Sequence, residues 1–166
     1  MTSYVVGDRE IIEHVRRILS KSGIGAFVMT DKEKVLVLET EQDVRKYCED
    51  ALSRLGYEPH ATASFRDALD LVLHHAPEYS AIVLGFESSG GGKGIAEIAA
   101  KARDCGFDGK VVIASGYDMK SVFEKTKEIG AWYLSKPYLA RDLEAAVKGN
   151  SLALLEHTFK ALNPKL

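Results

Sequence analysis

Ala81-Ile82-Val83-Leu84-Gly85 is a short apolar run that gives way to a Ser- and Gly-rich stretch, Phe86 to Lys93. Uninterrupted apolar, β-branched character over so few residues predicts a strand buried on both faces, as in parallel sheets. In open parallel α/β sheets the reactive groups sit at the carboxyl ends of the strands, where loops lead into helices. Position 85 therefore faces the crevice in which ligands bind, and glycine brings no chemistry there.

Working outward, the same kind of run recurs at Val35-Leu36-Val37-Leu38, Val111-Val112-Ile113-Ala114 and Trp132-Tyr133-Leu134. Between the runs lie helical periodicities. Val44, Tyr47, Cys48, Ala51, Leu52 and Leu55 form one inward stripe, and Gly56 follows where a left-handed cap is wanted. Ser64 with Asp67 three residues on has the form of a capping box ahead of Ala68, Leu69, Leu71, Val72 and Leu73. Further helices are predicted over Ile95–Ala102, Met119–Ile129 and Leu139–Val147. Strands alternating with helices imply right-handed βαβ crossovers and a parallel sheet covered on both faces, so the fold class is α/β.

The ordered set of motifs from Lys34 to Gly149 resembles the receiver domain of two-component response regulators, the CheY-like family. The first strand is followed by Glu39-Thr40-Glu41, where that family carries acidic magnesium ligands. The fourth ends in Ser115, the small hydroxyl position. The fifth carries Tyr133, the aromatic switch position, and then Lys136-Pro137. Ser115-Gly116-Tyr117 and Lys136-Pro137-Tyr138 look most like receivers of hybrid histidine kinases. The resemblance implies a doubly wound, flavodoxin-like five-stranded sheet of order 2-1-3-4-5 and a cis peptide between Lys136 and Pro137. It also places the phosphoacceptor aspartate where this chain has Gly85.

That departure decides the functional expectation. The resemblance makes Glu39, Thr40, Gly85, Ser115 and Lys136 a vestigial phosphorylation pocket, with Ser115 and Tyr133 as the switch pair and no catalytic residue. Gly85 removes the nucleophile and a metal ligand together, and Thr40 stands at the second acidic position, so neither a metal nor another cofactor is expected. Glu41 reads as a first-turn helix residue favoured by the helix dipole. A buried Lys136 without an aspartate needs another anion, and Glu39, with one extra methylene, can reach it as a fixed pair. Glu87 would share the sheet face of Gly85 only if the strand continued, and the glycine run argues that it has ended. A Walker motif fails on spacing: Gly92-Lys93 has Glu87 at the place of the first glycine and Gly94 after the lysine.

The expectation is a phosphorylation-independent pseudo-receiver, an interaction module for a signalling partner such as a histidine kinase or an effector. Two alternatives stay open: an atypical active phosphoacceptor using a displaced acid, and a fragment of a larger hybrid kinase. A chain of 166 residues, 46% hydrophobic and 28% charged with a net charge of −2, has an ordinary soluble surface and no basic patch for nucleic acid. No apolar run is long enough to span a membrane and no signal peptide opens the chain, which leads to a cytoplasmic expectation. Cys48 and Cys105 form no metal-spacing motif, and Cys48 reads as a structural thiol on the inward stripe. The five histidines are scattered apart from His74-His75.

Three segments are expected: an extension at 1–32, a receiver-like domain at 33–149 and a C-terminal helix at 150–166. In the first, Tyr4-Val5-Val6, the stripe Ile11, Ile12, Val15, Ile18 and Leu19, and Ala26-Phe27-Val28-Met29 read as a βαβ-like piece. In the last, Leu152, Leu155, Phe159 and Leu162 form a heptad-like stripe after Ser151. Either these elements cap the monomer, or they build a homodimer interface.

Overall fold

The computed structural model describes residues 31–87, 90–116 and 119–150, together with Arg17. The extension expected at 1–32 and the helix expected at 150–166 thus lie almost wholly outside the described residues. Five strands, β1 (Lys34–Leu38), β2 (Glu58–Thr62), β3 (Tyr79–Gly85), β4 (Lys110–Ser115) and β5 (Trp132–Ser135), form one parallel sheet of order 2-1-3-4-5. The helices are α1 (Gln42–Arg54), α2 (Phe65–His75), α3 (Gly92–Asp104), α4 (Met119–Glu128) and α5 (Ala140–Lys148). A 3₁₀ turn, Ala76–Glu78, leads into β3. The parallel sheet expected from the alternation is present, in the doubly wound order that the resemblance implies.

The period-2 alternation of strand side chains divides the core into two layers. Leu36, Leu38, Ile82, Leu84, Val111 and Ile113 pack with Ala68 and Val72 of α2, Ile95 and Ile98 of α3, and Val122 of α4. Val35, Val37, Val83, Val112 and Leu134 pack with Cys48 and Leu52 of α1 and Leu143 and Ala146 of α5. Burying such a Leu or Ile completely is worth about 1.5–3 kcal/mol each, so both faces of the central strands contribute. That is why β1, β3 and β4 read as continuous apolar runs.

Local signals explain the ends. Gly56 has φ 92° and terminates α1: its N–H donates to the Ser53 carbonyl, and the Tyr57 N–H donates to the Leu52 carbonyl. This pair of bonds satisfies carbonyls that the helix leaves over. The Ser64 hydroxyl caps α2 by accepting from the Asp67 N–H at 3.2 Å. Tyr47 departs from the expected inward stripe. It is 41% exposed, with its ring 6.1 Å from that of Tyr138. Leu73 is likewise exposed, at the outer edge of α2. Helix α3 begins at Gly92, inside the stretch expected to be loop through Lys93, because Gly91 at φ 73° turns the chain and accepts the first helical bond from Ile95.

Candidate functional site

Three strand ends and one turn converge at the carboxyl edge of the sheet. Beyond Leu38, the Glu39 N–H still donates to the Thr62 carbonyl at 3.0 Å, which keeps its backbone in the sheet, and the residue is buried. Its two carboxylate oxygens have different duties. Oε1 accepts from the Glu41 N–H at 3.0 Å, at the start of α1, and Oε2 accepts from Lys136 Nζ at 2.7 Å. The Arg45 guanidinium donates to the Glu39 carbonyl at 2.8 Å and the Thr40 carbonyl at 3.3 Å, fixing the backbone that presents the carboxylate.

The pair spans the sheet. Glu39 follows β1 and Lys136 follows β5, with β3 and β4 between them, so their backbones are separated by about 14 Å at the usual strand spacing. Two long side chains close that distance across the ends of β3 and β4, near Gly85. Their side chains are 4% and 14% exposed, so the attraction is poorly screened. Glu41 is also within 4.0 Å of the ammonium, but at 70% exposed it adds little.

The second carboxylate is the one that sequence reasoning did not place. Strand β3 does end at Gly85, in register with Ala114. The chain then folds tightly: the Phe86 N–H donates to the Ala114 carbonyl at 2.8 Å, the Gly91 N–H to the Phe86 carbonyl at 3.0 Å, and the Gly90 N–H to the Glu87 carbonyl at 3.2 Å. This turn delivers the Glu87 side chain back to the edge. Its Oε1 accepts from the fully buried Ser115 hydroxyl at 3.1 Å, and its Oε2 lies 3.9 Å from Lys136 Nζ. The Lys136 N–H in turn donates to the Ser115 carbonyl at 2.9 Å.

Glu39, Ser115 and Lys136 are thus brought together near Gly85, with Glu87 added. Thr40 is exposed. Tyr133 is 6% exposed within the layer formed with α2, α3 and α4. The magnesium site of the receiver family does not fit this arrangement, because Glu39 is already engaged by an ammonium and a backbone N–H, and Gly85 offers no side-chain oxygen. Among the described residues, no group of three or more His, Cys, Asp or Glu is placed to hold a metal ion.

Below the site, the Cys48 thiol and the Tyr138 hydroxyl lie 2.9 Å apart. Burial pushes both groups up from their ordinary pKa values. The Lys136–Pro137 peptide is cis.

A response regulator from Burkholderia pseudomallei carrying a phosphorylated aspartate superposes with TM-score 0.64 at 20% identity, covering 79% of this chain and 74% of its own. A CheY-like receiver from Methanospirillum hungatei gives 0.60 at 18%, covering 78% and 98%. A receiver from Clostridium thermocellum gives 0.62 at 20%, covering 76% and 98%. The fold is that of the CheY-like receivers. No family model and no curated protein matches the sequence. Among the described residues, no helix is long and apolar enough to cross a membrane.

Proposed function

We propose that this chain is a pseudo-receiver, a protein-interaction module of two-component-type signalling whose output does not wait for phosphorylation. One observation carries this reading: the strand end that bears the phosphoacceptor in the resembled family is Gly85, and the Lys136 ammonium is already committed to Glu39 at 2.7 Å. A phosphoryl transfer needs a nucleophile and charge neutralisation at one place, and the site offers neither where the family needs them. The residues resembling the receiver pocket, Glu39, Thr40, Gly85, Ser115 and Lys136, act here as structure and not as catalysts. Its partner is a signalling protein, a histidine kinase or an effector, met through the surface of α4, β5 and α5. The segments 1–32 and 150–166 are read as additions to the receiver-like domain at 33–149, with a second copy of the chain as the candidate cover for their apolar stripes.

Incubation with a small-molecule phosphodonor and Mg²⁺, followed by intact mass, tests the reading. No addition is expected. A stable phosphoryl adduct at Glu87 or elsewhere in the site would replace the pseudo-receiver reading with that of an atypical phosphoacceptor.

A further inference from the structure

We propose that Glu87 is a positioning residue that serves as a permanent internal anion, clamping the carboxyl ends of β3, β4 and β5 into one state. The inference rests on the pseudo-receiver reading and specifies how its site is regulated.

The argument starts from what the edge contains. Ser115 is 0% exposed at the end of β4, and its hydroxyl donates to the Glu87 carboxylate at 3.1 Å. A hydrogen bond to an ionised acceptor is about twice as strong as one between neutral groups. The other oxygen of the same carboxylate faces Lys136 Nζ at 3.9 Å, and that ammonium also holds Glu39 at 2.7 Å. Glu87 therefore connects the end of β4 to the residue that follows β5. Glu39 extends the connection to β1.

Two backbone bonds cross the same edge and depend on its geometry. Phe86 N–H to the Ala114 carbonyl ties β3 to β4, and Lys136 N–H to the Ser115 carbonyl ties β4 to β5. Both lie within one residue of a group that Glu87 contacts or of Glu87 itself. A diffusible anion would hold such an edge only while bound, shifting the population by its differential affinity for the two states. A carboxylate tethered two residues beyond β3 cannot leave, so the equilibrium is biased at all times. The side chain is 33% exposed, so solvent partly screens its 3.9 Å approach to Lys136, and the hydrogen bond from the buried Ser115 hydroxyl is the firmer of its two contacts.

Amide hydrogen exchange of the full chain tests the clamp, comparing the parent with Glu87→Ala, Glu87→Gln and the exposed control Glu97→Gln. In Glu87→Ala the Phe86 and Lys136 amides are expected to exchange about tenfold faster, the loss corresponding to a charge-assisted hydrogen bond. Core amides of β1 are expected to change much less. Glu87→Gln keeps an acceptor for Ser115 but no charge for Lys136, and should fall between parent and Ala. Parental rates at both amides in Glu87→Ala would overturn the proposal, as would an equal acceleration of every amide, which marks general stabilisation. A phosphoryl adduct on the parent would sink the phosphorylation-independent reading without altering the exchange result, so the two failures are distinguishable.

Discussion

Lys136 and Glu39 meet at 2.7 Å although they follow strands three places apart in the sheet. The contact is the electrostatic bridge of the carboxyl edge, and it is nearly dry. Removing one member of a buried pair leaves the other charge uncompensated and costs about 3–5 kcal/mol, whereas an exposed pair costs close to nothing. Lys136→Met is therefore expected to lower the urea midpoint substantially at unchanged slope. A midpoint equal to the parent's would mean that the lysine is solvated and that the bridge contributes nothing.

The Cys48 thiol gives a second expectation. It is 1% exposed and paired with Tyr138, and burial raises its pKa above the ordinary value of 9.0. The native protein should be alkylated at the half-buried Cys105 while Cys48 stays unmodified, as read by peptide mass. The sign for stability follows from linkage. Because the folded-state pKa is raised, the contribution is complete below the unfolded value and is lost as pH rises through and beyond about 9. Tyr138, also raised, acts in the same direction at higher pH. Cys48→Ala should flatten the first part of this alkaline limb.

Much of the fold was legible because its strands are buried on both faces. Val35–Leu38, Ala81–Leu84 and Val111–Ala114 announce themselves as apolar runs, and Gly56 marks the end of α1 by the φ it adopts. The edge strand β2, Glu-Pro-His-Ala-Thr, carries no such run because its residues are only half-buried or exposed. In the site, the Glu39–Lys136 pair was legible once the resemblance had put both residues in one pocket, because a buried ammonium there needs an anion. Glu87 was not. Its approach depends on the turn closed by Gly90 and Gly91, both at φ 73°, and on bonds from Phe86 and Gly91 that no side-chain pattern encodes. Tyr47 was misplaced because a six-residue stripe is wider than the face of α1 that the sheet covers; the ring sits at its margin against Tyr138.

Restoring the acid at position 85 should not restore a phosphoacceptor by itself. Gly85 is buried, and Asp there would add a further carboxylate to a site in which one ammonium already serves Glu39 and Glu87. Like charges this close disfavour ionisation, so Gly85→Asp is expected to be destabilised and to gain no mass from a phosphodonor with Mg²⁺. Gly85→Asp combined with Thr40→Asp supplies a second acid beside Glu39 and is the variant expected to gain a phosphoryl group. An adduct on the single variant would show that the Glu39–Lys136 bridge yields readily and is not a lock.

The last prediction concerns the two ends, which lie outside the described residues. Ile11, Ile12, Val15, Ile18 and Leu19 near one end, and Leu152, Leu155, Phe159 and Leu162 near the other, are apolar stripes in the sequence. Soluble chains rarely leave contiguous apolar patches exposed, so the stripes are covered either within the chain or by a second copy. Coverage by a second copy suits the proposed phosphorylation-independent module, since a twofold interface built from appended elements would need no change at the carboxyl edge. Sedimentation velocity of the full chain against a shortened chain, Lys34 to Gly149, separates the two. The full chain is expected to sediment as a dimer and the shortened one as a monomer. A full chain that stays monomeric at high micromolar concentration would assign both stripes to the monomer's own packing, and the surface of α4, β5 and α5 would then be the remaining candidate for partner contact.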